Sequence, residues 1–265
     1  MTSPIKTEFL GIPIGEPSLE YATQRGTEAI RRPGPPFVFS CAMAHSLNVA
    51  QTDPEFMAAL RGSDMLVADG VGVWGLARLL SIDVGARMSG EQVYRSIMAA
   101  LQVLGHGRVF YFGSSETVLT KIAVRFAQDY PALELAGKCA PPRWPWSDDE
   151  DREMVSAINA SRPDVLWVGL GAPKQEKWVY RNSARLRVPF IGSIGAVFDY
   201  YAGTKPSPAG WIRRFGLETP YRMTLEPKRL WRRAIVSNTQ FVVKAIKKHG
   251  VRPRVKESGA GPGGV

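Results

Sequence analysis

The sequence predicts an α/β protein: a Rossmann-like, mostly parallel sheet with helices on both faces, plus a basic, mainly helical C-terminal appendage. Three observations predict it. Short apolar runs alternate with amphipathic helical patterns from about residue 36 to residue 204. Strands spaced by helices of that length imply right-handed crossover units and hence parallel pairing. After Lys205 the alternation stops and the chain becomes strongly basic.

The elements can be justified in order. Residues 1–35, rich in Pro, Gly and Thr, read as an irregular lead-in with room for a short hairpin. PFVFSCAM reads as the first strand of the core. DPEFMAALRG reads as a helix, with Asp53 as N-cap and Pro54 at its first position. DMLVADG is a strand, and SGEQVYRSIMAALQVLG a helix from the Ser89 cap to a Gly105 stop. RVFYFG is a strand and SSETVLTKIAVRFAQDY a helix. LELAGKC is a strand, and SDDEDREMVSAINAS a helix opened by a capping box from Ser147 to Glu150. DVLWVGLG is a strand followed by the helix PKQEKWVYRNSARL, and VPFIGSIG is the last strand. A long helix is expected from about Pro227, with Trp231, Ile235, Val242 and Ile246 forming its apolar stripe. The organisation expected is thus a lead-in (1–35), an α/β catalytic core (36–204), a basic helical appendage (205–250) and a disordered tail (251–265).

Composition narrows the functional classes. The chain has 265 residues, 45% hydrophobic and 22% charged, which is ordinary globular material. It shows no apolar run long enough to span a bilayer, and no basic-then-apolar secretory signal at its start. Cys41 and Cys139 are the only cysteines, without metal-ligand spacing, so a reduced, cytoplasmic setting without structural zinc is expected. The net charge of +10 is unevenly placed: from Lys205 onward there are 14 Lys or Arg against three Glu, while residues 1–204 carry 20 basic and 21 acidic groups. Such a segment suits an acidic partner, either nucleic acid or an anionic membrane surface.

Polar residues at strand ends suggest where chemistry occurs. Ser46 and Asn48 follow the first core strand and Asp69-Gly70 the second. Gly113, Ser114 and Ser115 follow FYF, Gly171 to Glu176 follow VLWVGL, and Asp199 follows IGAVF. In a parallel sheet the carboxyl ends share one edge, where ligands bind. Glycines and hydroxyls at helix starts suit a diphosphate, and Asp69 or Asp199 has the chemistry of a base. Each has an ordinary structural role as well: Asp-Gly is a common turn pair, Ser114 and Ser115 are N-cap residues, Lys174 and Glu176 belong to a solvated first turn, and Trp178 to the core. Neither G-x-G-x-x-G after the first strand nor G-x-x-x-x-G-K-[ST] occurs, which counts against a nucleotide-dependent oxidoreductase. No DxD pair of the kind that holds a divalent ion for a sugar nucleotide occurs either, apart from the acidic helix cap at Asp148-Asp149, so neutralisation of a diphosphate by arginines is expected, with no metal.

Several ordered motifs together resemble the WecG/TagA/CpsF glycosyltransferases (glycosyltransferase family 26), from about Pro36 to His249. They are Ser46-Leu47-Asn48, ADGVG (68–72), Arg87 and Gly90 in ARMSG, FGSS (112–115), GLGAPKQEKW (169–178), IGAVFDYYAG (194–203) and GLETPYRMTLEPKRLWRR (216–233). The resemblance implies inverting transfer of a sugar from a UDP-sugar to a polyprenyl-diphosphate-linked saccharide at the inner face of the cell membrane, in surface or exopolysaccharide synthesis. It implies Asp69 as general base, and Ser46, Asn48, Arg87, Gln175, Asp199 and Arg222 lining the pocket. Gly113 and Ser114, opening a helix, are expected to bind the donor beside them. Lys205, Arg213, Arg214, Arg229, Arg232 and Arg233 would meet the acceptor diphosphate and anionic lipid.

Three departures stand out: Ser46 replaces a usual Thr, Ala86 a common Glu, and GTKPSPAGW lacks the usual Arg-Ala-Pro, leaving Lys205 in place of a bidentate guanidinium. The family's donors include glucose, N-acetylmannosamine and N-acetylmannosaminuronic acid, among which the sequence does not choose. A basic nucleic-acid binder, stacking bases on Trp211, Tyr221 and Trp231, leaves the strand-end motifs unexplained. An inactive family member serving as a partner subunit conflicts with the retention of Asp69, Arg87, Gln175, Asp199 and Arg222.

Overall fold

The structure, a computed structural model, describes residues 6–32, 34–209, 212, 221, 224 and 237–250. The expectations for Arg213, Arg214, Arg222, Arg229, Arg232 and Arg233, for Trp231 and Ile235, and for the tail at 251–265 lie outside the described residues.

The lead-in carries the short hairpin it had room for, β1 (Thr7–Phe9) and β2 (Ile12–Ile14), but where irregular chain was otherwise expected it continues as a 13-residue helix, α1 (Leu19–Arg31). Ser18 caps α1 by accepting from the Tyr21 N–H at 3.2 Å. The core follows as β3 (Phe37–Ala42), α2 (Ala44–Ala50), α3 (Pro54–Arg61), β4 (Met65–Ala68), α4 (Val71–Leu79), α5 (Gly90–Leu104), β5 (Arg108–Gly113), α6 (Glu116–Asp129), β6 (Glu134–Cys139), α7 (Asp148–Ala160), β7 (Val165–Gly169), α8 (Lys174–Asn182), β8 (Phe190–Ser193) and α9 (Val197–Tyr201). A last helix, α10, spans Asn238–His249.

All six predicted core strands are present. They form one sheet in the order β4-β3-β8-β7-β5-β6, and every pairing in it is parallel. The predicted caps hold as well: Asp53 accepts from Phe56 N–H, Ser89 and Ser147 form capping boxes with Gln92 and Glu150, and Gly105 ends α5 in the left-handed region. Strand alternation divides the core into two faces. Phe39, Met65, Val67, Val109, Tyr111, Trp167 and Phe190 pack under α1, α5 and α6. On the other face, Leu66 and Ala68 pack with α2, α3 and α4, and Phe110, Phe112, Leu166 and Ile191 with α7 and α8.

The two chain ends complete this second face. Phe9, Leu10, Ile12 and Ile14 from the hairpin, and Phe241 and Ala245 from α10, share one apolar cluster with Leu47, Leu60 and Val73. Phe9 meets Phe241 edge-on at 5.9 Å. The stripe expected on this helix is therefore corrected. Phe241 and Ala245 are buried, whereas Val242 and Ile246 are each 38% exposed. The hairpin and α2 approach the helix from the side of 241 and 245, one residue earlier than periodicity alone suggested.

Candidate active site

Because the sheet is wholly parallel, the carboxyl ends of its strands lie along one edge, and the strand-end motifs with them. Asp69 is the first residue after β4. Its N–H donates to Ala42 O at 3.0 Å, so the ends of β3 and β4 stay together. Arg87 forms a parallel bridge with Ala68, and Met88 N–H donates to Ala68 O at 3.2 Å. The backbone of Arg87 thus runs beside the residue that precedes Asp69. Asp69 and Arg87 are both part-exposed. Among the described residues, no atom lies within 4 Å of where a Cβ added to Gly70 or Gly171 would sit.

On the far side of the edge, β5 and β7 end in close contact. A Cβ on Gly113 would come within 2.6 Å of the Gly169 carbonyl carbon, so only glycine fits there. Ser114 N–H donates to Gly169 O at 3.1 Å, and Ser114 itself is held at φ +59°, an uncommon region for a residue with a side chain. Ser115, not Ser114, caps α6. Gly113 is buried beside β7, while Ser114 retains partial exposure.

GLGAPKQEKW sorts its polar side chains in two directions. Lys177 pairs outward with Asp53 at 2.9 Å and Glu55 at 3.0 Å, tying α8 to α3. Lys174 lies 5.3 Å from the Trp144 ring centroid. Gln175 and Glu176 turn inward and are 5% and 3% exposed. Gly171 N–H donates to Gln175 Oε1 at 3.1 Å, and Gln175 Nε2 donates to Glu176 Oε1 at 2.8 Å. Glu176 was expected on a solvated turn, and its burial corrects that. Gln175 lies three residues before Trp178 and four before Val179, and Glu176 three before Val179. Helical spacing therefore places both on the buried face, a signal the sequence carried. Trp178, as expected, is core, with Nε1 donating to Asp151 Oδ1 at 2.7 Å.

The remaining expected residues divide. Ser46 is 1% exposed, and its hydroxyl has no hydrogen-bond partner among the described residues. Ser193, at the end of β8, is 0% exposed with a hydroxyl in the same condition, and sequence reasoning had not singled it out. Asn48 is committed to α10 rather than open: Nδ2 donates to Ser237 Oγ and Gln240 Oε1, each at 3.0 Å, and Oδ1 accepts from Lys244 Nζ at 2.7 Å. His45 Nδ1 joins the group at 2.9 Å from Ser237 Oγ. Asp199 lies on α9, where Lys205 Nζ pairs with Oδ2 at 3.0 Å and Thr204 Oγ1 donates to Oδ1 at 3.2 Å. Lys205 is thereby held at the core's edge, close in sequence to where the missing arginine was expected. Cys41 is buried: that burial, with the Asp69 and Glu176 carboxylates adding to it, pushes its thiol well above the usual range.

The glycosyl transferase WecG/TagA/CpsF family model matches residues 7–255. The chain belongs to this family. Similar relatives include proteins named N-acetylglucosaminyldiphosphoundecaprenol N-acetyl-β-D-mannosaminyltransferase. That of Bacillus spizizenii (strain W23) is 28% identical over 75% of this chain and 74% of its own length. The Bacillus subtilis (strain 168) protein is 26% identical over 74% and 73%. The Staphylococcus aureus (strain NCTC 8325) protein is 26% identical over 70% and 71%. Family membership extends through the hairpin and α10, the two segments that close the second face of the core.

Proposed function

We propose that this family member is an inverting glycosyltransferase that moves a hexose-type sugar from a UDP-sugar to a polyprenyl-diphosphate-linked saccharide in cell-envelope polymer synthesis. The observation that carries the reading is the placement of Asp69. It follows β4 directly, is part-exposed beside the Arg87 bridge, and lies on the edge that also carries Gly113, Ser114 and Gln175. The names of the relatives supply the acceptor class, a diphosphoundecaprenol-linked sugar. Their β-configured product is what inversion of an α-linked nucleotide sugar yields.

In this mechanism Asp69 takes the proton of the acceptor hydroxyl as its oxygen attacks the anomeric carbon. The bond from that carbon to the diphosphate oxygen breaks, and UDP leaves with the electron pair. Backbone N–H groups near Ser114, with Arg87 and Arg222, offset the charge growing on the diphosphate without a metal ion.

The acceptor lipid also gives α10 a role. No helix among the described residues is long and apolar enough to cross a membrane. Instead α10 exposes Val242, Val243 and Ile246 beside Lys247 and Lys248. A surface of that composition suits peripheral contact with anionic lipid at the inner face of the membrane.

Titration with UDP in EDTA, and again with magnesium, tests the donor side. Binding in EDTA is expected, followed by transfer from one of a panel of UDP-sugars to a polyprenyl-diphosphate-linked N-acetylglucosamine, with a β-anomeric proton in the product. Failure to bind UDP in either buffer, with and without anionic liposomes, would overturn the reading.

A further inference from the structure

Gln175 is held in one orientation by two neighbours that each act in a single sense. Gly171 N–H can only donate, and it meets Oε1 at 3.1 Å; the Glu176 carboxylate meets Nε2 at 2.8 Å and, when ionised, can only accept. A flip of the carboxamide would set N–H against N–H and oxygen against carboxylate, losing both bonds together. All three groups belong to one short stretch of chain, so the arrangement also fixes the loop between β7 and α8. The side chains of Gln175 and Glu176 are buried at the carboxyl edge of the sheet. Close to them, a Cβ on Gly195 would approach Gln175 Oε1 to 3.3 Å, so the end of β8 comes up against the same carboxamide.

We infer that Glu176 is the positioning residue for Gln175. Its carboxylate takes one N–H of the carboxamide and so sets where the other N–H points. By the hydrogen-bond inventory of an amide, the second Nε2 proton and one lone pair of Oε1 are left for a ligand. A charge-assisted bond behind a neutral donor also polarises that donor and strengthens the bond it makes in front. Glu176 therefore acts on the donor nucleotide through Gln175 without touching it. This rests on the reading of Gln175 as a contact to a UDP-sugar, and it adds a residue whose influence passes through a second one.

The test has two readouts on the full chain. The first is the side-chain amide resonance of Gln175 in the ligand-free protein, assigned by its disappearance in Gln175→Ala. In the wild type it should show two distinct, slowly exchanging amide protons. In Glu176→Gln the proton facing residue 176 should move upfield and exchange faster. The second readout is UDP affinity in a double-mutant cycle. Glu176→Gln should weaken binding about tenfold, the size of one charge-assisted hydrogen bond, and should add almost nothing in a Gln175→Ala background. An unchanged Gln175 resonance in Glu176→Gln, or an equal loss of affinity in both backgrounds, would overturn the inference. If the wild type fails to bind UDP, the donor reading fails while the amide resonance still judges the role of Glu176. Should Glu176→Gln not fold, Glu176→Asp, which shortens the arm by one methylene, serves in both measurements with the same expectations.

Discussion

Lys244 Nζ donates to Asn48 Oδ1 at 2.7 Å, joining the last described helix to the short helix that follows the first core strand. The two residues are far apart in sequence, and the rest of the Asn48 carboxamide is bound to Ser237 and Gln240 of the same C-terminal segment. Asn48 is thus the hinge pin of α10, whatever it does toward a substrate.

Replacing Asn48 with Ala is therefore expected to loosen α10 before it affects anything else. Three polar groups lose a partner at a largely buried contact, a loss of about 1–3 kcal/mol. Hydrogen exchange of amides 238–249 should accelerate markedly while the central strands retain full protection. Unchanged protection of α10 in this variant would mean that Phe241 and Ala245 alone hold the helix.

Asp69→Asn keeps the size and hydrogen-bonding reach of the side chain while removing its basicity. The variant should fold, and its transfer rate should fall by about 10²–10⁴-fold. Normal transfer by a folded Asp69→Asn protein would remove Asp69 from the role of base.

The exposed face of α10 can be tested without cutting the chain. Ending it before Lys205 would also remove Phe241, which is 1% exposed in the core, so loss of activity would say little about lipid. Val242→Glu with Ile246→Glu alters two half-exposed positions and should leave the unfolding midpoint nearly unchanged. Binding to phosphatidylglycerol vesicles should weaken at least tenfold, because two apolar contacts are lost and two like charges added. Equal vesicle binding by this variant would move the membrane contact elsewhere.

Cys41 makes stability depend on alkaline pH. Burial, then the Asp69 and Glu176 carboxylates, push its folded thiol well above the unfolded value, and Cys139 is also raised, again chiefly by burial. A raised thiol stabilises the fold fully below the unfolded pKa, about 8.5, and that contribution is lost as pH rises, since only the unfolded chain releases the proton. Denaturant unfolding should show stability falling above pH ~8.5 by roughly 1.4 kcal/mol per pH unit through the buried Cys41, with a smaller share from the part-exposed Cys139. Above about pH 10, the buried Tyr94 and Tyr111 steepen the decline, their hydroxyls also being held well above the usual range by burial. Cys41→Ala should remove one thiol's share of the slope between these limits; an unaltered slope would show that Cys41 titrates alike in both states.

The sequence by itself determined the six strands, their parallel pairing and the edge on which the motifs meet. Those features follow from local signals: apolar runs such as VLWV, caps such as Asp53, Ser89 and Ser147, and stops such as Gly105. It also marked Asp69 and the stretch from Gly171 to Glu176, because polar residues at the ends of buried strands stand out against their neighbours; Arg87 was marked only by its place in the family-like motif ARMSG. It did not reveal α1. The segment LEYATQRGTEAIR carries two threonines and a glycine, which weaken an isolated helix, and it is the packing of α1 on α5 that stabilises it, with Thr23 Oγ1 donating to Ser96 Oγ at 2.7 Å. Nor did it reveal which side of α10 faces inward: two apolar ridges one residue apart compete, and only Phe9 and α2 choose between them. The inward turn of Glu176 and the commitment of Asn48 to α10 were decided the same way. A polar side chain's role depends on which donors and acceptors the fold brings to it, and those partners are set by tertiary structure.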